Sequence, residues 1–272
     1  MAEVGLSAYE LQLTHGVRTS KERAEILGEN ARKSDVLLSI HAPYYINLAS
    51  PKKETVERSK KNLIESLQVA SWMNAYKIVF HAGYYNNGKE KSLKCCVKNL
   101  NEVVEEAKSM GLDKISLSPE SGGKKIQIGS LEDLMVMAEI DNIISPAIDF
   151  AHVHARDDGY LFCEENFRVV LVEIENRLGI ETLRNLHCHF APIEFNERGE
   201  KVHKNFSDRL TSFDSDNGFK LTTEPYKPEF LPLARLILEF KMNPVIISES
   251  KDSQDIDSFK MKSIIEDLKR NL

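Results

Sequence analysis

Residue types that bind metal ions recur at the ends of short apolar runs along this sequence. Six successive runs finish this way, at His41, His81, Glu120, Asp149 with His152, His187 with His189, and Glu249. The set combines imidazole nitrogens with carboxylate oxygens and includes no thiolate. Such a set suits zinc, manganese or iron(II) at a hydrolytic or isomerising site, whereas magnesium alone would favour oxygen ligands.

The apolar runs have the composition of buried parallel strands, and helical segments separate them. We predict strands at 9–13, 36–41, 77–83, 114–120, 144–152, 183–190 and 243–249, and helices at 20–33, 52–74, 89–110, 130–140, 162–178, 228–241 and 255–270. This alternation predicts right-handed βαβ units in one parallel sheet. We therefore expect one α/β domain over residues 1–272, a (β/α)8 TIM barrel.

The predicted strands number seven, whereas a closed barrel of this class has eight. Residues 1–7 read as the end of a helix that Gly5 stops. We therefore expect the barrel to lack its first strand and part of its first helix. The longest irregular stretch, residues 191–227, is predicted to be functional or disordered because compact domains seldom contain such long connections.

The carboxyl ends of all barrel strands lie on one face, which carries the active site. A single histidine at a strand end is more often structural than a metal ligand. Six successive endings of this kind favour a metal site, because buried carboxylates without a partner are costly. Three histidines and three carboxylates exceed what one zinc takes, so we expect two or three ions. Clustered metal ions suit phosphodiester hydrolysis.

Composition narrows the class of protein. The chain has 272 residues, 42% of them hydrophobic, and a formal net charge of -6. This charge argues against binding nucleic acid through bulk positive charge, but it permits a nuclease that holds phosphates through metal ions. No apolar run reaches the length of a membrane span. Four cysteines without a CxxC motif indicate reduced thiols, so we expect a cytoplasmic location.

Several motifs resemble those of one known enzyme family. They are SIHAPYYINL (39–48), VFHAGYY (79–85), SPESGG (118–123), AIDFAHVHARDDGY (147–160), HCHFAPIEFNERGEKVH (187–203) and PVIISES (244–250). In this order they resemble endonuclease IV, the zinc-dependent apurinic/apyrimidinic endonucleases with a TIM-barrel fold, in the archaeal-type branch. The resemblance covers most of the chain and implies a (β/α)8 TIM barrel of the xylose-isomerase-like kind.

The resemblance implies a centre of two or three zinc ions, with manganese as an alternative metal. His41 and His81 would bind one zinc, and Glu120 would bridge it to a second. Asp149, His189 and Glu249 would complete the second site. His152 and His203 would hold a third ion. Glu120 and Glu249 are the residues that we assign to catalysis.

The resemblance also implies an activity and a partner. The substrate would be double-stranded DNA with abasic sites, cut 5′ to the lesion in base-excision repair to leave a 3′-hydroxyl and a 5′-deoxyribose phosphate. Tyr44 and Tyr45 fall where the family places residues that insert into the DNA stack. We expect a monomer that does not interact with membranes.

The sequence departs from the family pattern at two ligand positions. Lys201 stands two residues before His203, where the family has an aspartate. The third site would therefore be weak, empty or completed by another group, such as Glu200. In addition, His187 and His189 compete for one ligand position, and we prefer His189 because the residues after it fit the loop that leads to His203.

Two other functions remain open. A sugar isomerase or epimerase of the xylose-isomerase-like barrels would need only one metal, held by Glu120, Asp149, His189 and Glu249. A non-catalytic paralogue would bind abasic DNA without cutting it, a hypothesis that Lys201 and the missing first strand motivate. A metal count per chain separates the nuclease from the isomerase, and strand cleavage excludes the paralogue.

Overall fold

The computed structural model describes residues 5–214 and 218–271, without the side chains of residues 211–214 and 218–223. Residues 1–4, where the sequence predicts the end of a helix, lie outside this description. The strands are β1 (Ala8–Gln12), β2 (Leu37–His41), β3 (Lys77–Phe80), β4 (Gly83–Tyr84), β5 (Ser116–Pro119), β6 (Gln127–Ile128), β7 (Ala147–Asp149), β8 (His187–Phe190), β9 (Ile193–Asn196), β10 (Gly199–His203), β11 (Arg209–Asp214), β12 (Gly218–Pro225) and β13 (Val245–Ser248). The helices are α1 (Lys21–Lys33), α2 (Lys53–Met73), α3 (Lys89–Ser109), α4 (Leu131–Ala138), α5 (Phe150–Arg156), α6 (Glu164–Leu178), α7 (Ile180–Arg184), α8 (Phe230–Glu239) and α9 (Gln254–Arg270).

Parallel strands form the wall of a barrel. Hydrogen bonds join them in the orders β1-β2-β3-β5 and β7-β8-β13. Isolated parallel bridges, Leu117 to Ile144 and Glu120 to Ala147, connect β5 to β7. The described residues thus contain seven parallel barrel strands, and the predicted α/β TIM-barrel class is confirmed. Residues of β1 and β13 line a groove of about 590 Å³ between these two outer strands.

Local sequence signals set several helix ends where we predicted them. The Ser20 hydroxyl accepts a hydrogen bond from the Arg23 backbone N–H at the start of α1. Ser130 and Asp133 form a reciprocal capping box at the start of α4. In the described part of the chain, no helix combines the length and the apolar character that crossing a membrane would require.

Three predictions for the second half of the chain were wrong in part. The strand predicted over 183–190 is limited to His187–Phe190, because helix α7 extends to Arg184. The strand predicted over 144–152 is limited to Ala147–Asp149, because the Asp149 carboxylate accepts a hydrogen bond from the His152 backbone N–H and caps helix α5. The stretch 191–227 contains two antiparallel hairpins, β9–β10 and β11–β12, rather than irregular chain. The first hairpin carries His203 back to the barrel mouth, as shown below.

The two faces of the barrel wall differ in polarity. Side chains alternate along a strand, so every second residue points away from the helices. Ile40, Ile78 and Leu117 belong to the apolar core packed against the helices. Alternate positions carry polar groups: Glu10 and Lys77 are both buried. TIM barrels usually fill this interior with branched apolar residues, so the polar lining indicates a functional interior.

Candidate metal centre

The carboxyl ends of the barrel strands bring six of the eight predicted ligands together, and helix α5 and strand β10 add His152 and His203 to the same cluster. Potential ligand atoms lie within 4.8 Å of one another in three overlapping groups: His41, His81 and Glu120; Glu120, Asp149, His189 and Glu249; and Asp149, His152, His203 and Glu249. Glu120 belongs to the first two groups, while Asp149 and Glu249 belong to the last two. The groups therefore adjoin one another as neighbouring metal positions would.

Glu120 is the centre of the cluster and is fully buried. Its Oε2 lies 3.1 Å from His41 Nε2 and 3.4 Å from His81 Nε2, and its Oε1 lies 2.9 Å from His189 Nδ1. Burial alone would raise the pKa of Glu120, but the facing imidazoles of His81 and His189 hold it well below its ordinary value. Glu120 is therefore a carboxylate that can bridge two groups of histidines.

Asp149 and Glu249 link the remaining histidines. His203 Nε2 lies 3.9 Å from Asp149 Oδ2, and His203 Nδ1 lies 3.4 Å from Glu249 Oε2. His152 Nδ1 lies 3.4 Å from Asp149 Oδ2. Burial raises the pKa of Asp149 above its ordinary value, because the carboxylate has lost its water. This carboxylate is thus poorly compensated by the protein alone.

Unpaired buried atoms in this cluster fit bound cations. Asp149 Oδ2, His203 Nε2 and His81 Nδ1 are buried and have no hydrogen-bond partner among the described residues. Leaving such atoms without a partner is costly, and native proteins seldom do so. A divalent cation would satisfy these lone pairs at once. The nitrogen and oxygen donors, without thiolate, suit zinc or manganese.

Glu10 of β1 is part of this site, and the sequence analysis missed it. Glu10 Oε1 lies 2.9 Å from His189 Nε2, and Oε2 lies 3.1 Å from His187 Nε2. Tyr76 and Ser39 also bond to this pair: the Tyr76 hydroxyl is 2.6 Å from His187 Nδ1, and the Ser39 hydroxyl donates to Glu10 Oε2 at 2.8 Å.

This arrangement gives the two competing histidines different positions. His189 directs Nδ1 toward Glu120 and Glu249, at 2.9 and 3.2 Å, and the Glu10 carboxylate lies beside its Nε2. Carboxylates commonly orient the imidazoles of metal sites in this way. His187 instead lies against Glu10 and Tyr76. His189 thus adjoins the Glu120 and Glu249 carboxylates, while His187, His189 and Glu10 form a further group of potential ligand atoms within 4.8 Å of one another.

Glu10→Ala should strongly destabilise the fold, because Glu10 is a buried carboxylate whose loss leaves the Nε2 atoms of His187 and His189 without the group that faces them. Removing one member of a buried charged pair costs about 3–5 kcal/mol. Urea unfolding of the metal-free protein would measure the loss, and Glu10→Gln, which keeps an acceptor oxygen, should lose less. Equal unfolding midpoints for wild type and Glu10→Ala would contradict the structural role that we assign to this contact.

Tyr44 and Tyr45 lie in the turn after β2, at the mouth of the cluster. Their side chains are 55% and 56% exposed, which is unusual for large aromatic residues. The Tyr44 ring centroid is 6.1 Å from that of His41, and the Tyr45 hydroxyl is 3.3 Å from His15 Nδ1. Both rings are therefore accessible to a large ligand above the metal cluster.

Relatives detectable by sequence include proteins named as endonucleases. An uncharacterized protein of Methanocaldococcus jannaschii is 33% identical over 205 residues, which are 75% of this chain and 73% of that protein. A probable endonuclease 4 of Nitrosopumilus maritimus is 30% identical over 157 residues, 56% of this chain and 54% of that protein. The match thus spans about half the length of that endonuclease 4 relative.

Solved structures of two functional classes share the fold. Endonuclease IV from Thermus thermophilus superposes with a TM-score of 0.69 at 18% identity, covering 97% of this chain and 91% of that one. A D-tagatose 3-epimerase-like protein superposes with a TM-score of 0.67 at 18% identity, covering 99% and 90%. At these identities the likeness concerns the fold alone. A family model described as xylose isomerase-like TIM barrel matches residues 1–223, and the chain therefore belongs to the xylose isomerase-like TIM-barrel family.

Proposed function

We propose that this chain is a metal-dependent apurinic/apyrimidinic endonuclease, which hydrolyses the DNA phosphodiester 5′ to an abasic site in base-excision repair. The observation that carries the proposal is the convergence of His41 and His81 on Glu120, at 3.1 and 3.4 Å. A single-metal isomerase needs neither histidine as a ligand. Their presence supplies donors for a second ion, which phosphodiester hydrolysis uses.

The exposure of each residue in the cluster indicates whether it can contact the substrate or only hold a metal ion. Zinc or manganese ions, when bound, would supply an activated water and neutralise the phosphate. Glu120 and Asp149 are fully buried and would hold their positions without contacting substrate. The Glu249 side chain is 19% exposed and lines the groove together with His203 and Tyr44. Glu249 is thus the carboxylate that can reach the scissile group.

Groups suited to DNA surround the mouth of the cluster. The exposed rings of Tyr44 and Tyr45 offer flat apolar faces that can stack on bases. Lys124 and Arg198 are exposed cations on two backbone segments joined by an antiparallel bridge, Lys124 to Gly199. They can pair with phosphates despite the net charge of -6. We infer that duplex DNA lies across this face.

A sugar epimerase is the second candidate, and one observation favours it. Glu120, Asp149, His189 and Glu249 place four ligand atoms within 4.8 Å of one another, which is sufficient for one metal. The epimerase-like fold similarity is close to that of the endonuclease. The two functions differ in the substrate and in the number of ions bound.

A nicking assay tests the proposal directly. Zinc-loaded protein is incubated with a labelled duplex carrying one abasic site, with an undamaged duplex of the same sequence, and with ketohexose sugars. We expect cleavage of the damaged strand alone, leaving a 3′-hydroxyl that a polymerase extends. Chelator-treated protein shows whether the cleavage depends on the metal.

The opposite results identify the alternatives. Epimerisation of a sugar without nicking would assign the chain to the second candidate. Retention of abasic DNA in a mobility-shift assay without cleavage, by protein shown to carry its metal, would identify a non-catalytic binder.

A further inference from the structure

Lys201 stands where the family resemblance requires a carboxylate ligand, and its side chain is turned away from the cluster. Lys201 is exposed and forms an ion pair with Glu194 of the neighbouring strand. A lysine ammonium does not bind a cation, so position 201 supplies nothing to a third ion. Any third ligand beside His152 and His203 must come from elsewhere.

A bulge in strand β10 changes which residues share the face of His203. Glu200 pairs with Phe195 of β9, and His203 pairs with Ile193. Residues opposite each other in a sheet point to the same face, and positions 193 and 195 share a face because side chains alternate. Glu200 and His203 therefore share a face although three residues separate them. The shift in register at Lys201 changes which side chains share this face. Bulges commonly redirect side chains in this way next to active sites.

Backbone contacts fix Glu200 beside the metal cluster. The Glu200 N–H donates to the Gly123 carbonyl at 2.9 Å, just after Glu120 in the chain. A Cβ at Gly123 would come within 2.7 Å of both Glu200 Cβ and His152 Cδ2. Gly199 has φ +100°, and a Cβ there would come within 2.2 Å of the Gly123 carbonyl oxygen. Both glycines thus permit the close approach that brings Glu200 to His152.

Buried nitrogen and oxygen atoms near Glu200 have no hydrogen-bond partner from any residue that the structure describes, and a bound cation would be a partner for them. Glu200 Oε2 lies 3.7 Å from His152 Nε2, and the ring centroids of His152 and His203 are 5.1 Å apart. His203 Nε2 and the fully buried Asp149 Oδ2 have no hydrogen-bond partner in the part of the chain that the structure describes. Two imidazoles, a carboxylate and an unpaired carboxylate oxygen therefore face the same space.

We infer that Glu200 replaces the family's missing aspartate and, with His152 and His203, forms a third metal position. The bulge at Lys201 places the Glu200 carboxylate on the same face of β10 as His203, although Glu200 is one residue away from the family's aspartate position. The inference rests on the proposed metal-dependent function, but it concerns the number and the ligands of the ions rather than the reaction. With Glu200 as a ligand, the chain can bind three metal ions even though Lys201 cannot act as a ligand.

Zinc stoichiometry measured without DNA tests this inference. Native mass spectrometry and calorimetric titration of metal-free protein with zinc would compare wild type, E200Q and the control E194Q. The control makes the same chemical change on the same hairpin, at a side chain that pairs with Lys201. We expect three ions for wild type and E194Q. For E200Q we expect two, or a third bound about 10-fold or more weakly, as altered metal shells typically show. Metal-free thermal midpoints would show that each variant folds.

The inference and the proposed function can fail separately. Wild-type zinc stoichiometry and affinity in E200Q would overturn the assignment of Glu200, even if abasic DNA is cut. A third ion lost only in E200Q would support the assignment, even if the nicking assay is negative. Two ions in wild type would also overturn it.

Discussion

Glu249→Gln is expected to lower the rate of abasic-site cleavage by about 10³-fold or more while leaving the fold intact. Removing one group that stabilises a transition state commonly lowers the rate about 10²- to 10³-fold. The glutamine also removes the negative charge that the Glu249 carboxylate would offer to a metal ion. The substitution keeps the size of the side chain. Glu249 is partly exposed at the groove, so the change disturbs little packing. Single-turnover nicking at saturating DNA would measure the loss.

Glu266→Gln is a matched control for this variant. Glu266 lies on α9, and its side chain is 56% exposed, with Lys262 3.7 Å away. It should cut at the wild-type rate. Near-normal turnover by Glu249→Gln, with metal content equal to that of wild type, would show that Glu249 takes no part in the reaction. An equal loss in both variants would point to a general effect of the substitution rather than to the site.

Alternation of strands and helices was sufficient to predict the fold. Each of the seven predicted strands overlaps one of β1, β2, β3, β5, β7, β8 and β13, because buried parallel strands form apolar runs that differ from the pattern of amphipathic helices. The predicted bounds were too wide for β7 and β8. The cap at Ser20 was also predictable, since its hydroxyl acts on its own neighbours. Such signals are local, so they need no knowledge of the tertiary structure.

The clustering of the histidine and carboxylate side chains was predictable for a related reason. Parallel strands deliver their carboxyl ends to one face, so His41, His81 and Glu120 had to come together once the barrel was recognised. Glu10 was missed because it lies in the middle of its strand. Alternation with Leu11 could have shown that Glu10 faces the interior, but its partner His187 is 177 residues away in the chain. Only the folded barrel brings them together.

The bulge at Lys201 was not predictable from sequence pattern. Strict alternation places Lys201 with His203 and places Glu200 on the opposite face. The structure shows the reverse: β10 has one extra residue at Lys201, and the Glu200 N–H beside it donates to the Gly123 carbonyl. This contact joins segments that are far apart in the chain, so local sequence pattern does not reveal it. Only weak signals, the glycines at 122, 123 and 199, mark the place in the sequence.

Removing the metal should abolish cleavage and lower the thermal unfolding midpoint by about 8–16 °C. Ligands that bind only the folded state stabilise it by about 4 kcal/mol at a free concentration 1,000-fold above Kd. For a chain of this size, each kcal/mol shifts the midpoint by about 2–4 °C. The stabilisation has a clear origin, because Glu120 and Asp149 are fully buried carboxylates that repel each other and Glu249 when no cation separates them.

Calorimetry before and after chelation, with metal content measured in parallel, would test this expectation. Zinc or manganese added back should restore both the midpoint and the cleavage, whereas magnesium should restore little, because the histidine ligands disfavour it. The variant His41→Asn/His81→Asn should show a smaller midpoint shift, since it lacks the donors of one ion position. An unchanged midpoint in protein shown to be free of metal would mean that the histidine and carboxylate cluster is a self-sufficient hydrogen-bonded network.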